Sequence, residues 1–308
     1  MTVKKKPSRS SFEGSMVALV TPFRNGEIDW PALKRLIEWH LEEGTDVLVP
    51  CGTTGEASTM THEEHRAMMD FVTDQVRGRV PVICGAGSNC TTEALGLVEY
   101  AKRAGADGVL VVVPYYNKPT QEGLYRHYEY IASRVEIPIV LYNVPGRTGV
   151  SMAPETVARL RKIPNIVAIK EASGKLEQTE RIRELCDITV ISGEDALTWP
   201  LMRAGAQGVI SVTANVTPKK VAAMVHAALE GSAADAERIH QELLPLSNAL
   251  FIETNPIPVK TALGRMGKIH TEFRLPLCEM SEKHEQELVS VLTRMGLVKG
   301  EATHSKPV

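Results

Sequence analysis

The sequence predicts an α/β protein, a (β/α)8 barrel with a C-terminal helical region, on three observations. Short apolar, β-branched runs recur along the 308 residues, each followed by a polar or glycine-containing turn and then by a stretch of helical period. Eight such pairs are complete by about residue 230, which suits a closed barrel of roughly 250 residues better than an open doubly wound sheet. The first run carries no GxGxxG, which weakens a dinucleotide-binding sheet further. Strands alternating with helices imply right-handed crossovers and a parallel sheet covered by helices.

Taken in order, SMVALVTPF leads to WPALKRLIEWHLEEG, where Leu33, Leu36, Ile37 and His40 share a face. DVLVPCG leads to THEEHRAMMDFVTDQV, in which Thr61 followed by Glu64 predicts a capping box. PVICGAG leads to TTEALGLVEYAKRAG, with Gly105 as the helix stop. GVLVVVPYY, PIVLYNV, NIVAIKEA, ITVISGED and GVISVTANV continue the pattern, each ahead of a helix candidate. After LEGSAADAERIHQELLPLSNALF only helical patterns remain, and the prolines of NPIPVK mark a turn or helix start. The expected divisions are a disordered tail at 1–11, the catalytic barrel at 12–230, a helical region at 231–298 and a frayed tail at 299–308.

Composition narrows the class of partner. A content of 43% hydrophobic and 23% charged residues is ordinary for a soluble globular chain. A net charge of -2 offers no general attraction to nucleic acid or to an anionic membrane, so a small molecule is the expected partner. Charged residues interrupt every apolar stretch before it could span a bilayer. The basic start MTVKKKPSRSS lacks the apolar segment of a secretory signal. Cys51, Cys84, Cys90, Cys186 and Cys278 are odd in number, spread out and mostly in apolar runs, so buried free thiols in a reducing cytoplasm are expected. None has zinc-type spacing.

In such a barrel the active site lies at the C-terminal ends of the strands, and here those ends are polar. They carry Thr21, the 52–56 turn GTTGE, Tyr115 and Tyr116, Tyr142 with Asn143 and then Arg147, Lys170 with Glu171, and Gly193 with Glu194 and Asp195. Lys170 is the unusual member, a charged amine closing the apolar run Ile166, Val167, Ala168, Ile169. Lysines on strands usually snorkel or guard an edge, but a closed barrel has no edge. With an ordinary pKa near 10.4, about one lysine amine in a few thousand is neutral at pH 7. Desolvation favours the neutral form, which attacks carbonyls. A Schiff-base role follows as the expectation. Imine chemistry needs a proton carrier close by, and Tyr142, one strand away, could serve. The GTTGE turn offers hydroxyl and backbone N–H donors for a 2-oxo acid's carboxylate, and the planar fork of Arg147 suits a second carboxylate.

GTTGE, PYYNKP at 114–119, YNVPGRTG at 142–149, IKEASG at 169–174, GVISVTANV at 208–216 and NPIPVK together resemble the 4-hydroxy-tetrahydrodipicolinate synthase (dihydrodipicolinate synthase) family. That family lies within the pyruvate-dependent class I aldolase and N-acetylneuraminate lyase superfamily. The resemblance runs from about Phe12 to near Leu297 in unbroken motif order. It implies a TIM barrel with C-terminal helices, assembled as a homotetramer, a dimer of tight dimers. The implied reaction condenses pyruvate with L-aspartate 4-semialdehyde on the way to diaminopimelate and lysine, with no metal and no organic cofactor.

By resemblance Lys170 forms the pyruvyl imine. Thr53, Tyr142 and Tyr116 match the proton relay, with Tyr116 reaching into a neighbouring subunit's site. Thr54 matches the pyruvate carboxylate contact, Arg147 the semialdehyde carboxylate contact and Ile210 a backbone contact, while Gly193 and Asn255 match more peripheral positions. Lysine-inhibited members hold lysine in a cleft at the tight-dimer interface, matched here by His62, His65, Asn89, Glu93 and Tyr115. Ala57 and Ser58 stand in the reverse order to the inhibited bacterial pattern. A sister sugar-acid lyase is the nearest alternative, but those usually carry GSTGE and lack an equivalent of Arg147. A pyridoxal phosphate barrel using Lys170, or a catalytically silent binding barrel, are the alternatives of other classes.

Overall fold

A computed structural model of the chain describes residues 12–299. The tail expected at 1–11, and the tail expected at the other end from residue 300 on, lie outside the described residues. Eight strands carry the fold: β1 (Gly14–Ala18), β2 (Val47–Val49), β3 (Ile83–Gly85), β4 (Gly108–Val112), β5 (Ile139–Asn143), β6 (Ile166–Glu171), β7 (Thr189–Ser192) and β8 (Gly208–Ser211). Neighbours pair in parallel around the ring, with β8 against β1 through Met16 and Ile210. A single parallel bridge, Leu48 to Val82, closes the ring between β2 and β3. The protein is a (β/α)8 TIM barrel with additional C-terminal helices.

The outer layer comprises α1 (Trp30–Glu42), α2 (His62–Val76), α3 (Thr91–Arg103), α4 (Gln121–Ala132), α5 (Pro154–Leu160), α6 (Leu176–Leu185), α7 (Thr198–Arg203) and α8 (Pro218–Leu229). The longer ones, such as α1, α2 and α4, bury an apolar stripe, as periodicity requires. On α1 this stripe is Ala32, Leu33, Leu36, Ile37 and His40. Burial holds the His40 imidazole down at about 3, so it packs there uncharged. The capping box on α2 forms as expected: Thr61 Oγ1 accepts from Glu64 N at 3.2 Å and Thr61 N donates to the Glu64 carboxylate at 2.9 Å. Gly105 follows α3 with φ of +84°, the left-handed helix stop.

Strand alternation divides the core in two. Met16, Val47, Ile83, Leu110, Val140, Ala168, Ile191 and Ile210 point inward and fill the barrel, and Phe12 joins this inner cluster. Residues of opposite parity, such as Val109, Leu141, Ile169 and Val209, pack outward against the helices. The same parity carries Tyr142 inward with Val140 and Lys170 inward with Ala168.

Beyond the barrel come α9 (Ala233–Ala249), α10 (Ile257–Arg265) and α11 (Glu282–Arg294). NPIPVK does start a helix, α10, which has proline at its first turn and is buried from Ile257 through Leu263. Two expectations need correction or addition. Only Cys51, in the turn after β2, and Cys84, on β3, are buried thiols, whereas Cys186 is half-buried and Cys90 and Cys278, at a helix start and in a loop, are exposed. A two-residue hairpin pairs Phe23–Arg24 with Glu27–Ile28 through Asn25 and Gly26, both at positive φ. Asn-Gly is a strong short hairpin signal, and here it lies between β1 and α1.

Candidate active site

Lys170 and Tyr142 are register partners on β6 and β5. Both are carried inward by the strand period, and the ammonium nitrogen of Lys170 lies 4.4 Å from the centroid of the Tyr142 ring. Lys170 is 6% exposed. It stands in a cavity of about 60 Å³ at the C-terminal mouth of the barrel, which Thr53, Thr54, Arg147, Gly193, Ile210 and Asn255 also line. Every sequence-expected substrate residue therefore meets Lys170 at one mouth. Tyr116 does not: it is 89% exposed, sits at φ of +72° and lies outside this cavity.

Gly193 and Asn255 are more central than expected. A Cβ on Gly193 would stand 3.0 Å from Lys170 Cε and 2.6 Å from Ala172 Cβ, so only glycine leaves the lysine stem its place. Asn255 donates from Nδ2 to Thr54 Oγ1 at 3.0 Å, and its carbonyl accepts from Arg147 Nη2 at 3.2 Å. Its Oδ1 is buried and has no hydrogen-bond partner among the described residues. Arg147 itself is delivered by a one-turn helix, Pro145–Thr148, immediately after β5.

Three carboxyl groups stand at the ends of β6 and β7, Glu171 beside Lys170 in sequence and Glu194 and Asp195 just past β7. Burial pushes Glu171, Glu194 and Asp195 upward, and the positive charge of Lys170 draws Glu194 and Asp195 partly back. Glu171 is tied by Asn143 Nδ2 at 3.0 Å and by Ser173 N at 2.7 Å. Asp195 accepts from Ser211 Oγ at 2.5 Å, Val212 N at 2.8 Å and Thr213 N at 3.2 Å, which fixes the end of β8 beside Ile210. Glu194 lines the cavity, as does Phe251 from the C-terminal region. Sequence reading placed Glu194 at a strand end without giving it a site role. Phe251 had no signal, since it lies beyond the last strand.

A buried strand-end amine, an adjacent phenol, paired hydroxyls and an arginine fork form a site for imine chemistry on a small oxo acid. The model of the dihydrodipicolinate synthetase family matches residues 11–295. The chain belongs to the dihydrodipicolinate synthetase family. It is an enzyme of the class I aldolase-type synthases and lyases. It is 57% identical over 289 residues to the 4-hydroxy-tetrahydrodipicolinate synthase of Geobacter sulfurreducens, covering 93% of this chain and 100% of that one. Among solved structures it is similar to the chloride-inhibited dihydrodipicolinate synthase of Acinetobacter baumannii complexed with pyruvate. The TM-score is 0.92 at 46% identity, over 94% of this chain and 100% of the other. The enzyme of Cyanidioschyzon merolae with lysine bound gives a TM-score of 0.90 at 41% identity, over the same shares.

In this member of the dihydrodipicolinate synthetase family a second, larger cleft of about 460 Å³ opens beside the first. His62, His65, Glu93 and Tyr115 line it, together with Ala57 and Ser58. Asn89 is not on its wall; the Asn89 carbonyl instead accepts from Asn117 Nδ2 at 2.9 Å. Glu93 is 3.2 Å from His62 Nε2 and accepts a short hydrogen bond from Ser88. His65 is pushed down by burial, and its Nε2 meets the Gly85 carbonyl at 2.8 Å, so it serves as a neutral donor. Thr53, Tyr142 and Arg147 line both clefts, which therefore share a wall.

Proposed function

We propose that this enzyme condenses pyruvate with L-aspartate 4-semialdehyde through an imine on Lys170, as a 4-hydroxy-tetrahydrodipicolinate synthase serving diaminopimelate and lysine biosynthesis in the cytoplasm. The observation that carries this is the inward, nearly buried amine of Lys170 in register with Tyr142 at the barrel mouth. The amine adds to the pyruvate ketone and water leaves. The imine loses a methyl proton to become an enamine, whose carbon attacks the aldehyde. The amino group of the new chain then displaces Lys170 by transimination, closing the ring and freeing the enzyme.

Tyr142 is the general acid and base closest to the imine, with Thr53 passing protons onward. Thr54 and the turn's N–H groups hold the pyruvate carboxylate, Ile210 contributes backbone contact, and Arg147 holds the semialdehyde carboxylate beside Gly193 and Asn255. Tyr116 completes the relay of a second copy, consistent with its 89% exposure and its positive φ, a strained conformation of the kind found where function requires it. The assembly is a homotetramer of tight dimers. L-Lysine binds the larger cleft, its ammonium paired with Glu93 beside His62, His65 and Tyr115, and acts through the wall shared with Tyr142 and Thr53.

Sodium borohydride added with pyruvate is expected to leave a reduced three-carbon adduct on the peptide carrying Lys170. No adduct in folded protein would overturn the imine. An adduct without pyruvate consumption when aspartate semialdehyde is supplied would redirect the aldehyde toward sugars. Millimolar lysine at limiting pyruvate is expected to lower initial rates, and Glu93→Ala to relieve that inhibition. Unchanged rates in the parent enzyme would remove the regulatory site.

A further inference from the structure

We propose that the buried ion pair between Lys260 and Glu56 is a positioning device that holds the 52–56 turn against the active-site cavity. Lys260 lies on α10, outside the barrel, and Glu56 ends the turn that carries Thr53 and Thr54. Their charged atoms are in direct contact, and both side chains are fully buried. The Lys260 ammonium also sits 4.3 Å from the centroid of the Phe23 ring and 5.2 Å from that of Phe273, which walls it from water.

The geometry at Glu56 supplies the reason. Its φ is +54°, a left-handed conformation that a residue with a Cβ holds only where its surroundings impose it. A buried ion pair is an inefficient way to stabilise a fold, because desolvation offsets much of the attraction, but it fixes direction strictly. The same short segment makes a second tie, since Asn255 donates to Thr54 and accepts from Arg147. Residues 255–260 thus grip the turn at Thr54 and at Glu56, and Thr53 on the same turn lines the cavity with Lys170. The neighbouring cation Arg274 is occupied by Glu64, the Thr59 carbonyl and the Gly26 carbonyl, so Lys260 is left to Glu56. Lys260 is a positioning residue: it acts on pyruvate only through the turn.

This inference rests on the pyruvate imine, and adduct formation in the unaltered enzyme tests that reading alone. The test here is the pyruvate dependence of borohydride trapping in Lys260→Met, in Lys260→Met with Glu56→Gln, and in Lys260→Arg. The paired replacement removes both charges without leaving one buried alone. Half-saturating pyruvate is expected to rise about tenfold or more in the paired variant, about 1.4 kcal/mol by the constant for one decade, with full trapping at saturation and cooperative thermal unfolding retained. Lys260→Arg, which keeps the charge, is expected to recover part of that loss. An unchanged half-saturation in the paired variant overturns the proposal. So does failure of all three variants to fold, because the pair would then hold the fold and not the turn.

Discussion

Lys170→Ala is expected to lower kcat/KM by about 10⁴-fold or more, about 5.4 kcal/mol at 1.36 kcal/mol per decade. The pyruvate adduct should vanish from the trapped peptide at the same time. Among the described residues no other amine lines the cavity in its place: the lining cations are Lys170 and Arg147, and a guanidinium is not a nucleophile at neutral pH. The barrel should survive the change, because Ala168 and Ala172 on the same inward row already tolerate small side chains. Losing the charge also removes the attraction that draws Glu194 and Asp195 down, so both carboxyls should move further up and become more readily protonated. Turnover within tenfold of the parent, measured by pyruvate consumption in protein with unchanged circular dichroism, would sink the imine mechanism.

Tyr142→Phe is the second large effect, with an expected loss of roughly 10²- to 10⁴-fold in kcat, the range for a positioned proton carrier. Its value lies in what it keeps. Phenylalanine retains the ring in the inner cluster and the face on which the Lys170 ammonium rests at 4.4 Å, and removes only the hydroxyl. Stability should therefore change by less than about 1.5 kcal/mol, as for near-isosteric core exchanges. KM for pyruvate should stay within a few-fold if, as proposed, Thr54 and the turn hold the carboxylate. The adduct should still form, but slowly. Equal losses in kcat and in pyruvate affinity, with ordinary trapping kinetics, would show that Tyr142 packs the site and moves no proton.

Much of this site was legible before any coordinates. Lys170 stood out as a charged amine closing the apolar run Ile166 to Ile169, with Tyr142 one strand away, but a parallel strand buried on both faces is apolar at both parities, so only the structure showed that both point inward. The eightfold alternation then sent all strand ends to one mouth. Less legible was rank within the site. Gly193 and Asn255 read as peripheral, yet the first determines the space for the Lys170 stem and the second ties Thr54 to Arg147. Glu194 stood at a strand end with no partner in sequence, and Phe251 lay outside every strand, so neither had a local signal. The cysteines misled because Cys84 lies on a buried strand, whereas Cys90 caps a helix in the polar stretch SNCTT, where a thiol is left exposed.

The sequence by itself determined the period, and through it the barrel and the chemistry gathered at its strand ends. These depend on side chains a few residues apart and on the short connections between neighbouring elements. Tertiary structure alone decided how the last helices return to that mouth. Asn255 meets Thr54 across 201 positions and Lys260 meets Glu56 across 204. Contacts at such separation leave no periodic trace, because they exist only after packing has brought α10 against the turn, and there a buried lysine must find a carboxylate to offset its lost hydration.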